Sequence, residues 1–311
     1  MNLYMPEGSL ISASENREYT STRQSLERAF ERQMILEGTA VLCDHSFNLH
    51  VKLGSGIKAF MPKSEVQYTE DGEPGKDIAI LTRVGKPVCF KILGFERDAY
   101  GEYIPIVSRR SAQRECMENY VSRLTPGDII PTRITHLENF GAFVDIGCGI
   151  VSLLSIDAIS VSRISHPSVR LAVGDSIYTV VKSIDENGRI YVTERELLGS
   201  WEENAALFSE GETVRGIVRS VENYGIFVEL KPNLAGLAEY RDDVRVGQTA
   251  AVYIKSIIPE KMKIKLIIID AHDSPEYPEP LKYFIDTDEV THISSWLYSP
   301  PDCKKVIESI F

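Results

Sequence analysis

The sequence lacks long apolar runs, and this bounds the kind of protein it encodes. Its most apolar segment, MKIKLIIID (262–270), is far too short to cross a bilayer and is typical of a buried strand. The first 20 residues lack the basic start and the long apolar core of a signal peptide. We therefore expect a cytoplasmic protein without membrane association.

Cysteine is also scarce, and nothing in the sequence indicates catalysis. The five cysteines are scattered and none forms a CxxC pair, which favours a reducing compartment and argues against a zinc site. The sequence shows no metal-ligand cluster, no nucleophile–base pair and no phosphate-binding loop. We therefore predict a protein that is not an enzyme and that uses neither a metal nor a cofactor.

An excess of positive charge is absent too. The net charge is −11, and residues 271–311 alone carry eight acidic and three basic groups. The long β-rich stretches before this tail are neutral or mildly acidic, so none has the basic surface that binds duplex DNA by counterion release. Any nucleic-acid binding must then depend on stacking and on local charges.

A repeat is the strongest signal that is present. NFGAFVDIG (139–147) returns as NYGIFVEL (223–230), each between a preceding glycine–acid pair and a following VGD or VGQ. A degenerate third copy is GTAVLCDHSFNLHVKLG (38–54), followed by VGKPVCFKILGFE (84–96). Each unit has about five short β-rich segments between turn signals, which predicts a small Greek-key barrel of the OB type.

The predicted fold is all-β: three tandem OB-fold five-stranded barrels joined by short helices, with a small C-terminal appendage. We expect residues 1–20 to be disordered and the final apolar stretch of the tail to be helical. The predicted segments are a disordered N-terminus with a leading helix (1–33), a degenerate barrel (34–108), a helical linker (109–123), the best-matching barrel (124–197), a second helical linker (198–208), a third barrel (209–270) and the tail (271–311).

The alternation after Gly141 predicts an exposed aromatic ring. Ala142 and Val144 share one face of a strand, so Phe143 and Asp145 share the other. If the aliphatic face is buried, Phe143 points toward water beside a carboxylate. Such a ring can stack on a base of single-stranded RNA whatever its sequence.

The middle repeat resembles a known RNA-binding domain, the one named after the bacterial ribosomal protein S1. The segments that carry the resemblance are GDIIPTRITHLENFGAFVDIGCG and VGDSIYTVVKSIDENGRIYVT. The third repeat resembles it in its first half, and the first repeat resembles it weakly. The arrangement is most similar to the three-domain, clostridial-type form of Gram-positive bacteria. The resemblance implies single-stranded RNA (mRNA) binding in translation, with the small ribosomal subunit as a partner to test.

The resemblance also implies a set of binding residues. In that family one barrel face carries two aromatic residues, a histidine, an aspartate and an arginine. The matching positions in the second repeat are Phe140, Phe143, Ser155 (in the histidine place), Asp185 and Arg189; those in the third are Tyr224, Phe227, Glu239 (histidine place), Ile258 (aspartate place) and Lys263 (arginine place); those in the first are Phe47 and His50. We expect Asp185 to hold Arg189 in place, and we add Arg163 and His166 from the long loop as further RNA contacts.

Other interpretations stay open. Phe140 can cap the barrel end, Asp185 and Arg189 can be a turn acid and a surface base, and His166 can be a merely exposed loop residue. Trp201 is expected to pack in its linker. An alternative function is a protein-interaction module that uses the barrels as docking surfaces, which suits the acidic balance. We expect a monomer.

Overall fold

The computed structural model describes residues 4–69, 75–97, 101–273 and 281–311. They form two compact units. The first comprises the chain up to residue 124 with 131–133 and 145–151, and the second comprises 125–130, 134–144 and 152–311. The strands close into three five-stranded barrels, which confirms the predicted fold class.

The first barrel follows two short helices, α1 (Ser14–Tyr19) and α2 (Arg23–Glu31). The Thr22 side chain caps α2 by accepting a hydrogen bond from the Ser25 backbone N–H. Helix α3 (Asp77–Leu81) lies between its third and fourth strands. The strands are β1 (Leu36–Cys43), β2 (Leu49–Lys52), β3 (Lys58–Met61), β4 (Pro87–Arg97) and β5 (Tyr103–Ser108).

Helix α4 (Arg109–Asn119) leads into the second barrel, and α5 (Ile156–Ile159) follows its third strand. The strands are β6 (Ile129–Glu138), β7 (Gly141–Asp145), β8 (Val151–Ser155), β9 (Ser176–Ile184) and β10 (Ile190–Thr193). Helix α6 (Trp201–Ala205) then leads into the third barrel. Its strands are β11 (Thr213–Glu222), β12 (Gly225–Lys231), β13 (Leu234–Ala238), β14 (Thr249–Ile258) and β15 (Lys263–His272).

All three barrels close in the same way. In each, the first three strands are neighbours in sequence order, and the fifth strand lies between the third and the fourth. The third and fifth strands run parallel in every barrel. This shared ring explains the sequence repeat, because the alternating side chains of each strand fill a barrel interior on one face and leave the other face free.

A glycine at the start of the second strand allows close approach of the third strand. A Cβ atom at Gly141 would lie 2.4 Å from the Leu154 backbone oxygen, and one at Gly225 would lie 2.5 Å from the Ala238 backbone oxygen. Only glycine fits such contacts without a backbone shift. The glycine between the two aromatic positions is therefore required by the barrel itself.

The N-terminal segment differs from the prediction of disorder. Within the described part, residues 4–20 belong to the first compact unit and include α1. The Glu37 carboxylate accepts hydrogen bonds from the backbone N–H groups of Gly8, Leu10 and Ile11 at 2.8–3.0 Å. Disorder was expected because chain termini often lack fixed structure, but the Glu37 carboxylate binds the backbone of this segment.

The tail packs as an appendage of the second unit. Tyr283, Ile285 and Phe311 contact the buried cluster around Leu197. Two short strands, β16 (Ser295–Leu297) and β17 (Glu308–Ile310), pair antiparallel. The final stretch is thus a strand and not the helix that its composition suggested, and the proline-spaced start of the tail (274–280) lies outside the described residues. Trp201 is buried, as expected of a packed linker residue.

Glu194 makes the stability of the second unit depend on pH. Its side chain is fully buried, one oxygen accepts a hydrogen bond from the Tyr283 hydroxyl at 3.2 Å, and the other has no partner among the described residues. Burial raises the pKa of Glu194 to about 8. The folded protein therefore binds this proton more tightly than the unfolded chain does, and the resulting stability is lost as the pH rises through about 8.

We expect Glu194→Gln to remove this pH dependence. Between pH 6 and pH 9 the wild type should lose on the order of 3 kcal/mol through this group, because its carboxylate must ionise in the barrel. The amide keeps the shape and does not titrate. Urea unfolding followed by tryptophan fluorescence measures both proteins, with the exposed Glu186→Gln as the matched control. Equal pH dependence in all three proteins would contradict the expectation.

Candidate nucleic-acid interface

Two aromatic rings stand together on the outside of the second barrel. Ala142 and Val144 on β7 are fully buried, so Phe143 between them points outward and is half-buried. Phe140, just before β7, has 54% of its surface exposed. The ring centroids lie 6.0 Å apart and the planes are perpendicular. The pair therefore offers solvent both a ring edge and a ring face.

A third ring, which sequence reasoning missed, extends this pair. His136 on β6 stacks on Phe143 with centroids 6.3 Å apart and an interplanar angle of 22°. Its Nε2 atom lies 2.7 Å from a carboxylate oxygen of Glu138. The only sequence signal was the position of His136 on the strand that neighbours β7, where cross-strand side chains meet. In the third barrel the residue that pairs with Phe227 is Ser220, which carries no ring.

The third barrel repeats the perpendicular pair. Tyr224 has 71% of its surface exposed, and Phe227 is half-buried on the outer face of β12. Their centroids lie 6.2 Å apart at an angle of 86°. The spacing of three residues, with a glycine after the first aromatic, thus gives one geometry in two barrels.

Asp185 shapes the turn from which Arg189 projects. One Asp185 carboxylate oxygen accepts hydrogen bonds from the backbone N–H groups of Asn187 and Arg189, both at 2.9 Å. Asp185 thus positions the backbone of Arg189, whereas the described contacts pair its carboxylate with no guanidinium group. The Arg189 side chain is exposed beside the start of β10.

Lys263 occupies the structural place of Arg189 in the third barrel. Tyr191 pairs with Leu153 of the parallel neighbouring strand, and Lys265 pairs with Leu237 in the same way. Arg189 and Lys263 each lie two residues before that bridge. Lys263 pairs across the hairpin with Ile258, which stands where the acid was expected. The third barrel therefore has an exposed positive charge at this place, as the second barrel does, but it lacks the carboxylate that shapes the turn there.

The remaining candidates of the second barrel make local contacts. The Ser155 side chain hydrogen-bonds the Asp157 carboxylate, and this bond lowers the pKa of Asp157. His166 Nδ1 accepts a hydrogen bond from the Ser168 backbone N–H at 3.1 Å and so caps a short 3-10 turn. Arg163 is exposed in the long loop. The described contacts place none of these three side chains against the rings.

Asp145 differs from the sequence expectation. It shares the face of Phe143, but it is only 1% exposed instead of lying in water beside the ring. Its carboxylate accepts hydrogen bonds from the backbone N–H groups of Glu7, Gly147 and Gly149 at 2.7–3.0 Å. Burial and the nearby Glu7 carboxylate raise the pKa of Asp145 to about 7. The N-terminal segment covers this end of the strand, which the local alternation could not show.

The first barrel presents a different surface. Phe47 packs against the barrel core, and the Lys63 ammonium lies 4.8 Å from its ring centroid. His50 instead meets Phe60 on the neighbouring strand, with centroids 5.6 Å apart. Among the described ring contacts, Phe47 and His50 do not form the perpendicular pair of the other two barrels.

Within the described ranges, no helix is long and apolar enough to cross a membrane. No group of three or more histidine, cysteine, aspartate or glutamate side chains in this part of the chain could hold a metal ion.

Residues 123–194 match the family model of the S1 RNA binding domain. The chain is similar to the small ribosomal subunit protein bS1 of Rickettsia conorii, with 28% identity over 239 residues, which cover 71% of this chain and 40% of that protein. It is also similar to the bS1 homolog of Bacillus subtilis, with 27% identity over 232 residues, covering 71% and 56% of the two chains.

The chain spans about half the length of the curated relatives that it matches. Among solved structures it matches a multidomain protein with nucleic acid binding domains from Streptococcus pneumoniae, with 16% identity, a TM-score of 0.25 and coverage of 76% of this chain and 74% of that one. The named curated relatives are proteins of the small ribosomal subunit.

Proposed function

We propose that this bS1-like chain, with an S1 RNA binding domain at residues 123–194, binds single-stranded RNA by stacking bases on the aromatic rings of its second and third barrels. The observation that carries the proposal is the perpendicular pair that recurs on both, Phe140 with Phe143 and Tyr224 with Phe227. Every base has a flat π-face, so each exposed ring can hold a base of any sequence.

The charges around the rings support a local contact. Glu138 lies beside the His136 ring, Asp157 is hydrogen-bonded by Ser155, and the whole chain carries a net charge of −11. Long-range attraction to RNA is therefore weak, and we propose the exposed Arg189 and Lys263 as the phosphate contacts of their barrels. The ring pairs of both barrels belong to one compact unit, so the second contact gains from effective concentration after the first forms.

The biological setting is proposed from the relatives. Those named above are proteins of the small ribosomal subunit. We place this chain in translation, in the cytoplasm, as a monomer that holds mRNA for the small subunit. In vivo crosslinking followed by sequencing of the attached RNA tests this setting.

The salt dependence of RNA binding tests the contact itself. Two to four phosphate contacts should give a slope of log affinity against log salt of about −1.5 to −3, at roughly −0.7 per phosphate on a single strand. Arg189→Ala should make the slope shallower by about 0.7, and the exposed Arg17→Ala on α1 should leave it unchanged. A wild-type slope near zero would favour the protein-docking alternative.

A further inference from the structure

A tyrosine on the fifth strand of the second barrel lies on the same outer face as the stacking rings. On β10 the side chains of Ile190 and Val192 are buried, and Tyr191 between them is partly exposed. Successive side chains of a strand point to opposite faces, so Tyr191 points out of the barrel. The proposed stacking function does not use this ring.

Strand pairing in the third barrel shows which residues lie side by side across this outer face. Phe227 of β12 pairs with Leu237 of β13, and Leu237 pairs with Lys265 of β15. A row of three side chains, from the second strand to the fifth, thus begins at the stacking ring. Paired residues of neighbouring strands lie about 5 Å apart, so ~10 Å separate the two ends of this row.

The second barrel places a ring at each end of the equivalent row. Its strands β7, β8 and β10 are neighbours in the same order, and Tyr191 pairs with Leu153 in the parallel bridge that Lys265 makes in the third barrel. Leu153 is partly exposed between two buried residues and so points outward as well. Phe143, Leu153 and Tyr191 therefore form the row, and His136 on β6 extends it on the other side of Phe143.

Tyr191 also connects the stacking rings with the exposed arginine of this barrel. Arg189 and Tyr191 flank the buried Ile190, so both side chains project outward, roughly 7 Å apart along the strand. Phe143, in contrast, lies two strands away from β10. The residue that pairs with Tyr191 on β9 is Ser183, whose side chain is small and exposed and does not cover the ring. A base stacked on Tyr191 therefore has a guanidinium group close to its phosphate.

We infer that Tyr191 is a further RNA-binding residue, which holds one more base of the strand that stacks on Phe143. This inference rests on the proposed function. The second barrel then offers three rings along one row, His136, Phe143 and Tyr191, to bases of any sequence. The third barrel offers one ring in its row, because Ser220 and Lys265 stand in the places of the other two. The second barrel is therefore the stronger stacking surface of the two.

Filter binding of unstructured RNA to the full chain tests the inference, with Phe227→Ala in every protein so that the second barrel carries most of the binding. Tyr191→Leu should weaken binding about tenfold, as expected for the loss of one stacked base, and Tyr191→Phe should bind like the parent. The slope of log affinity against log salt should be the same in Tyr191→Leu and the parent, because the ring carries no charge.

The matched control is Tyr103→Leu, which removes a partly exposed ring from the first barrel. Equal affinities of Tyr191→Leu and Tyr103→Leu would overturn the inference, and so would equal losses in Tyr191→Leu and Tyr191→Phe, because the second variant keeps the ring. If binding falls in Phe143→Ala but not in Tyr191→Leu, the stacking proposal stands and this inference alone fails.

Photocrosslinking of the unmodified chain to an RNA that contains 5-iodouridine gives a readout that does not depend on the folding of a variant. Mass spectrometry of the peptides identifies the crosslinked residues, and we expect both Phe143 and Tyr191 among them. A crosslink at Phe143 without one at Tyr191 would overturn the inference and leave the stacking proposal in place. The absence of crosslinks at both rings would contradict the proposed function and this inference with it.

Discussion

Replacing Phe143 and Phe227 together with alanine should lower the affinity for unstructured RNA by at least about 30-fold. Each ring is expected to hold one base, and a stacked base contributes ~1–3 kcal/mol, so two losses together exceed about 2 kcal/mol. Each truncation also removes the partner of Phe140 or Tyr224 in the perpendicular pair. The loss should be the same for RNAs of different sequence, since stacking reads no base edge.

Filter binding measures this loss, and thermal unfolding checks that the variant is folded. Both rings lie on outer barrel faces, so we expect the melting temperature to change little. Tyr103→Ala removes a partly exposed ring from the first barrel, which lacks the perpendicular pair, and serves as the matched control. If the double variant unfolds, the rings are core residues. If it folds and binds RNA like the control, stacking is not the mechanism.

The sequence predicted the elements that depend on local pattern. The repeated NFGAF and NYGIF segments, together with the degenerate copy at 38–54, predicted three barrels, because each unit must close its own core. The alternation around Phe143 predicted that its ring lies outside the barrel, because Ala142 and Val144 on either side fill the interior. The period and spacing of residues predict a structural feature where residues that are neighbours in sequence determine it.

Contacts between segments that are distant in the chain could not be predicted from the local sequence pattern. His136 joins Phe143 through strand pairing, and no motif marks it. Asp185 was expected to hold Arg189, and the structure shows its carboxylate on the backbone of the turn. The buried ion pair of Arg170 with Glu229 joins a loop to strand β12, 59 residues away in the chain.

The N-terminal segment is the clearest case of such a long-range effect. Its place at a chain terminus predicts disorder, yet Glu7 lies buried and ion-paired with Arg109, 102 residues away. Burial alone would raise the pKa of Glu7, but the charge and hydrogen bonds of Arg109, aided by Arg83, lower it below its ordinary value of 4.5. The Cys89 backbone N–H also donates to this carboxylate at 3.0 Å. The buried pair thus fixes a segment that local propensity leaves undetermined.

Glu7→Gln should therefore destabilise the first unit by about 3–5 kcal/mol at neutral pH. The amide keeps the shape of the side chain but leaves the buried Arg109 without its counter-charge, which costs more than the pair itself contributes. Because the pKa of Glu7 is lowered, its contribution is present above pH 4.5 and is lost as the pH falls through the lower folded value. The difference between variant and wild type should accordingly shrink in acid.

Hydrogen exchange at Gly8, Leu10 and Ile11, whose backbone N–H groups bond Glu37, reports directly on this segment. We expect their protection to fall at pH 7 in Glu7→Gln and to stay at the wild-type level in Glu15→Gln, an exposed change on α1. Equal protection in the two variants would mean that the Glu37 carboxylate alone holds the N-terminus. A loss that persists unchanged at acid pH would assign the effect to packing of the side chain, because the charge of Glu7 is then absent from both proteins.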